Sequence, residues 1–229
     1  MIKFVLLDLD DTIFDFGYAE ARALETLLSE LGAFATEEVV SRYSAINSSY
    51  WKRLEAGELT RPQVQVGRFS SLFEELGISA DPAEANRRYM ALIAGIVHYV
   101  EGAESLLTAL RAAGYQIYIV SNGSVSVQEG RMRIAGLETF FDGVFLSEHL
   151  GVEKPNKQFF DLCFAKIPDF CADESIIVGD SLTSDIRGGM NAGIKTCWFN
   201  PRGKAPIAGI VPDYEIAQLS MLPDLLKSL

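Results

Sequence analysis

Cysteine is scarce in this chain and histidine scarcer. Cys163, Cys171 and Cys197 make an odd count with no C-x-x-C pair. That argues against a disulfide framework or a cysteine-built zinc site and fits a reducing compartment. His98 and His149, the only histidines, stand outside any metal-ligand spacing. Long apolar runs are missing as well, each being too short or too interrupted to span a membrane. Basic residues are outnumbered, 20 Lys and Arg against 31 Asp and Glu. The resulting net charge of −11 argues against nonspecific binding to nucleic acid or to an anionic membrane. The N-terminus lacks the basic-then-apolar layout of a signal peptide, because a strand-like run bearing acids begins at once. A cytoplasmic location is therefore expected. No internal repeat or low-complexity stretch is present.

Apolar residues make up 48% of the 229, which is ample for a folded core of one large domain or two modest ones. The organisation reads as two parts. After Asp15 the pattern is helical over 18–31, 36–55, 61–76 and 82–99, with Gly32, Gly57 and Gly77 as breakers. No strand pattern lies between Phe16 and Val97. From Gly102 onward helices alternate with apolar strands, the signature of βα units and a parallel sheet. The expected fold is α/β: a Rossmann-like parallel sheet from residues 1–15 and 98–229, interrupted after its first strand by an all-helical insert over 16–97.

Four segments carry candidate chemistry. Residues 2–7 form an apolar run, a buried parallel strand that ends in Asp8-Leu9-Asp10-Asp11-Thr12. Open α/β sheets place their ligand crevice at such strand ends. Crowded carboxylates there repel one another and resist desolvation, a cost that an oxygen-ligated cation such as Mg²⁺ relieves. The bland alternative is a simple turn, since Asp favours turns. A second β-branched run ends in Ser121-Asn122-Gly123, where a hydroxyl and backbone N–H groups can bind phosphate oxygens or merely cap a helix. Lys154, just before Pro155 and a helix over 157–166, can reach inward as a fixed charge or lie solvated on the surface. The fourth run, 175–179, ends in Gly179-Asp180 with Asp185 five residues on; Asp185 could equally cap the next helix.

Taken in order, Asp8-x-Asp10-x-Thr12, Ser121, Lys154 and Asp180 with Asp185 resemble the haloacid dehalogenase superfamily of aspartyl phosphotransferases, over essentially the whole chain. The resemblance implies a Mg²⁺ ion held by Asp8, the backbone carbonyl of Asp10, Asp180 and, directly or through water, Asp185. It implies that Asp8 is the nucleophile and Asp10 the general acid and base. Lys154, Ser121 and the N–H of Asn122 would hold the phosphoryl group. Thr12 is expected to hold the turn by hydrogen bonding. The insert would be a cap domain that closes over the active site. An acid at position 10 disfavours carbon–halogen cleavage, which in this superfamily proceeds without that acid or a metal. A phosphomutase shares the same core and stays open, whereas a noncatalytic phosphate-binding regulator has no need of all these groups together.

A narrower resemblance comes from residues 178–193 running into 196–200, with Tyr43, Asn47, Trp51 and the 66–69 segment: these are similar to the bacterial pyrimidine 5′-nucleotidases. The implied substrate is a small phosphate ester, a pyrimidine nucleoside 5′-monophosphate; the alternative is a sugar-phosphate or phosphoglycolate-type phosphatase. Thr60 and Arg61, in the turn between two insert helices, are candidate specificity residues by the same resemblance, or a simple connector. Trp51 and Arg68 are candidates too. Trp51 shares an aromatic stripe that reads first as packing, and Arg68 could as well be salt-bridged.

Overall fold

Six parallel strands form one sheet in the order β3-β2-β1-β4-β5-β6. They are β1 (Phe4–Leu7), β2 (Gln116–Ser121), β3 (Gly143–Leu146), β4 (Ser175–Gly179), β5 (Lys195–Phe199) and β6 (Tyr214–Ile216). The four interior strands, β2, β1, β4 and β5, are almost wholly buried, as expected of strands covered on both faces. Alternation sends Phe4, Leu6, Tyr118, Val120 and Ile177 to one face, where they pack with Phe159, Phe160 and Cys163. Those partners lie on α8 (Lys157–Phe164), which ends two residues before the expected boundary. The chain first builds outward from β1 through β2 to β3, then jumps to β4 on the other side of β1. That reversal makes the C-terminal ends of β1 and β4 a topological switch point, the place where open α/β sheets bind ligands.

The computed structural model describes all 229 residues, which divide into two units: residues 1–15, 98–125 and 135–229, and residues 16–97 and 126–134. No helix is long and apolar enough to cross a membrane. The first unit holds the sheet with α5 (Ala103–Ala112), α7 (Ser147–Leu150), α8, α9 (Arg187–Ala192) and α10 (Leu222–Lys227). The second is helical: α1 (Phe16–Glu30), α2 (Glu37–Glu55), α3 (Arg61–Leu76), α4 (Pro82–Ala94) and most of α6 (Val125–Ile134). Residues 126–134 follow β2 and were expected with the sheet. They group with the helices because Val127 joins their apolar cluster and Gly130 lies so close to Ala94 that an added Cβ would meet its Cβ at 3.0 Å. Helix α4 ends at Ala94 rather than near Tyr99. Gly95 caps it, and residues 98–100 run extended, with Asp15 N–H donating to the His98 carbonyl and Val100 N–H to that of Ile13.

The helical unit packs on stripes of apolar residues at three- and four-residue spacing, such as Ala19, Ala23, Leu24, Leu27 and Leu28 of α1. Tyr43, Phe69 and Tyr89 form its aromatic centre, with ring centroids 5.2–5.5 Å apart. Thr36 and Asp81 cap α2 and α4 by accepting from Val39 N–H and Ala83 N–H. Thr60 opens α3, and its N–H donates to Gln63 Oε1 at 2.8 Å. Arg61 lies 5.5 Å over the Trp51 ring.

Within this apolar packing runs a buried polar chain. Glu20 accepts from Asn47 Nδ2 at 2.7 Å and from Ser44 Oγ. Arg68 donates to Asn47 Oδ1 at 2.9 Å and to Asn86 Oδ1 at 2.8 Å, and lies 4.9 Å from the Tyr89 ring centroid. Arg68 was a candidate substrate contact. At 2% exposure, with its two terminal nitrogens bonded to Asn47 and Asn86, it is instead an interior residue whose charge offsets that of Glu20. Breaking a buried charge relay by removing one partner is strongly destabilising. Arg68→Met should therefore lower the stability to urea unfolding by about 3 kcal/mol; a loss smaller than about 0.5 kcal/mol would contradict the structural role.

Candidate active site

Four strand ends and loops meet around one ammonium. Lys154 Nζ donates to Asp8 Oδ1, to Asp185 Oδ1 and to the Val120 carbonyl, each at 2.7 Å. All three of its protons are thus used, as burial at 1% exposure demands. Asp8 directly follows β1, and its N–H extends the ladder to the Val178 carbonyl of β4. Asp185 lies in a wide, π-type helical turn over Leu182–Ile186 that leads into α9, with Ile186 N–H donating to the Ser181 carbonyl. Its Oδ2 accepts from Ser181 N–H at 3.0 Å. The side chain fits only because residue 179 is glycine: a Cβ there would fall 2.2 Å from Asp185 Oδ2.

The loop of Lys154 is itself held. Asn122 Nδ2 donates to the Lys154 carbonyl and Asn122 Oδ1 accepts from Lys154 N–H, both at 2.9 Å. The sequence pointed to the Asn122 backbone as a phosphate donor; the side-chain clamp on Lys154 is an additional function it did not reveal. Ser121, 1% exposed at the end of β2, accepts from Gly123 N–H at 3.0 Å through Oγ. Its own hydroxyl proton is therefore directed to another acceptor. Asp10 lies half-buried two residues beyond Asp8. Thr12 differs from expectation. Its Oγ1 is buried without a hydrogen-bond partner. The turn is held by backbone instead, with Ile13 and Phe14 N–H both donating to the Leu9 carbonyl at 2.9 Å.

Asp180 follows β4 and completes the constellation. Asp8, Asp180 and Asp185 each offer a carboxylate oxygen, and these oxygens lie within 4.8 Å of one another. The donor set is all oxygen and anionic, which suits a hard divalent cation. Two side chains unforeseen from the sequence hold Asp180. Trp198 Nε1 donates to its carbonyl at 3.0 Å, and Lys204 Nζ donates to its Oδ2 at 2.9 Å. Trp198 belongs to the 196–200 stretch that carried the narrower resemblance; nothing in the sequence set Lys204 apart from a solvated lysine.

Three carboxylates around one buried ammonium leave an excess of negative charge. Burial, then the neighbouring Asp185, push the Asp8 carboxyl well above the usual carboxylate range, against the pull of Lys154. For Lys154 burial works against the charge, but Asp185 and Asp8 outweigh it and hold the ammonium protonated. Burial also pushes Asp180 up to about 7, despite Lys204.

A family model for haloacid dehalogenase-like hydrolases matches residues 2–193, and the chain belongs to that family. It is 36% identical to the pyrimidine 5′-nucleotidase PynA of Streptococcus pneumoniae over 98% of this chain and 94% of that protein. It is 34% identical to the pyrimidine 5′-nucleotidase YjjG of Escherichia coli over 97% of this chain and 96% of that protein. The crystal structure of the HAD-hydrolase YfnB from Bacillus subtilis, bound to magnesium, superposes with a TM-score of 0.93 at 40% identity, covering 98% of each chain.

The raised carboxyls make stability depend on pH in one direction, and would make the binding of a cation at the cluster do so too. Between the ordinary 3.8 and about 7, folded Asp180 keeps a proton that the unfolded chain has lost. The metal-free protein therefore loses stability as pH rises through that window. A divalent cation held by the cluster would favour the ionised carboxylate and remove the loss. The gain in Tm on adding Mg²⁺ should be small at about pH 5.5 and grow to a plateau above about pH 7.5. Thermal unfolding with and without Mg²⁺ across this range checks it, and a gain that shrinks with rising pH would contradict the assignment.

Proposed function

We propose that this protein is a Mg²⁺-dependent phosphomonoester hydrolase that forms an aspartyl-phosphate on Asp8, with a pyrimidine nucleoside 5′-monophosphate as its substrate. The observation that carries the reading is the buried Lys154 ammonium joining Asp8 to Asp185 beside Asp180. Asp8, Asp180 and Asp185 would hold the cation, with the Asp10 carbonyl as a further ligand by family resemblance. When bound, it neutralises the charge of the phosphate dianion, which would otherwise repel an anionic nucleophile.

The chain's own residues account for the remaining work. Lys154 fixes one Asp8 oxygen and brings positive charge to the phosphoryl group. Ser121 Oγ and the Asn122 N–H stand at the end of β2 to donate to the non-reacting oxygens. An Asp8 carboxylate oxygen attacks phosphorus and the ester oxygen leaves with the proton of Asp10. Asp10, now ionised, takes a proton from water; the resulting hydroxide attacks the same phosphorus and releases phosphate and free Asp8. Two residues apart on extended chain, Asp8 and Asp10 can present their side chains to one side, as this shared task requires.

The nucleotide assignment rests on kinship with PynA and YjjG. The helical unit supplies a pair suited to such a ligand, Arg61 stacked on Trp51 beside the Thr60 turn. A guanidinium held on an aromatic face offers directional donors to a ribose or a base.

Phosphate release measured with Mg²⁺ on UMP, dTMP, AMP, phosphoglycolate and a hexose phosphate tests the reading. UMP and dTMP should exceed the other substrates in kcat/KM by about tenfold or more. Asp8→Asn should lower turnover on every substrate by about 10³-fold while leaving the thermal unfolding profile cooperative. A preference for a non-nucleotide ester would overturn the substrate class, and substantial activity in the pure Asp8→Asn protein would overturn the mechanism.

A further inference from the structure

The loop after β5 brings a second lysine to the metal cluster, and it is built into place. Residues 201–209 are exposed throughout, yet Lys204 within them is tied down at three points. Asn200, 4% exposed at the end of β5, accepts from Lys204 N–H through Oδ1 at 2.7 Å and donates to the Lys204 carbonyl through Nδ2 at 3.1 Å. The same Nδ2 donates to Glu215 Oε1 of β6 at 2.7 Å, so the clamp is anchored to the sheet edge. The third point is the side chain, whose ammonium reaches Asp180 Oδ2 at 2.9 Å.

The two ends of that ion pair differ. Lys204 is 50% exposed and Asp180 18% exposed. The ammonium enters from a cavity of about 130 Å³ lined by Asp11, Asp15, Asp180, Phe199, Arg202 and Lys204. It has open space into which to withdraw, whereas Lys154 on the other side of the cluster is buried with every donor used. Of the two lysines at the cluster, Lys154 on Asp8 and Asp185 is buried and Lys204 on Asp180 is half exposed.

We propose that Lys204 is a resident counter-ion of the metal site. It holds the Asp180 carboxylate while no metal is present and yields to the divalent cation on binding. This rests on the Mg²⁺ reading of the cluster. Physically, a cation cannot enter beside a carboxylate already neutralised by an ammonium without displacing that ammonium or bearing its repulsion. Either way Lys204 weakens metal affinity, and in exchange it keeps the crowded acids from repelling one another in the metal-free protein. Trp198 on the Asp180 carbonyl and Asn200 on the Lys204 backbone then serve one purpose, the placing of this pair.

Isothermal titration of the full-length, metal-stripped protein with Mg²⁺ tests it, using wild type, Lys204→Met, Lys204→Arg and Lys227→Met. Lys227 pairs with Asp224 on α10, and its removal changes the net charge equally without touching the cluster. Lys204→Met should bind Mg²⁺ about fivefold more tightly than wild type, the scale of one partly exposed ion pair. Lys204→Arg and Lys227→Met should stay near the wild-type Kd. Equal or weaker binding by Lys204→Met, with clear binding by wild type, would overturn the counter-ion and leave the metal reading standing. Equal tightening in Lys227→Met would reduce the effect to net charge and overturn it too. Failure of every protein to bind Mg²⁺ would overturn both readings.

Discussion

A lysine ammonium buried to 1% exposure is the constraint around which the α/β unit is arranged. Such a charge is tolerated only with every proton bonded and with opposite charge at contact distance. Lys154 meets that demand by drawing on the ends of three parts of the sheet. Asp8 follows β1, Val120 lies in β2, and Asp185 comes from the turn beyond β4. The switch in strand order puts these ends side by side. Gly179 leaves the room for Asp185, and Asn122 pins the loop on which Lys154 stands.

The same arrangement leaves the site short of positive charge. One fixed ammonium serves a cluster of Asp8, Asp185 and Asp180, and burial first, then the neighbouring acids, push the carboxyls of Asp8 and Asp180 up. A divalent cation would correct that imbalance and, in the proposed reaction, let a phosphate dianion approach a carboxylate nucleophile. On that reading the crowding of the acids and the proposed phosphoryl chemistry have one origin. The helical unit solves a similar problem without surplus: Glu20 and Arg68 are joined through Asn47, so the polar chain inside it is nearly neutral and structural.

What could be read in the sequence follows from how local each signal is. Strands β1, β2 and β4 were legible because buried parallel strands are unbroken apolar runs, and the residues just after β1 and β4, Asp8 and Asp180, stood out as candidates for that reason. The insert was legible from its helical period. Less local features were not. Asn122 reaches Lys154 across 32 positions, a pairing no periodicity encodes. Arg68 looks like any surface arginine until Asn47 and Asn86 are folded around it. Residues 126–134 follow a strand of the sheet, and only the packing of Val127 and Gly130 assigns them to the helices. Thr12 has the side chain of a turn former, but the turn closes on the Leu9 carbonyl without it.

The central claim is that this cluster makes Asp8 a nucleophile toward phosphorus. Ser121 is a hydroxyl at the end of β2 that could take a phosphoryl group instead. Acid quenching during turnover of UMP with Mg²⁺, followed by peptide mass mapping, separates the two. The account predicts one added phosphoryl group on the peptide containing Asp8, absent when Mg²⁺ is withheld. A phosphoryl group on Ser121, or rapid phosphate release with no phosphorylated peptide at any quench time, would contradict it.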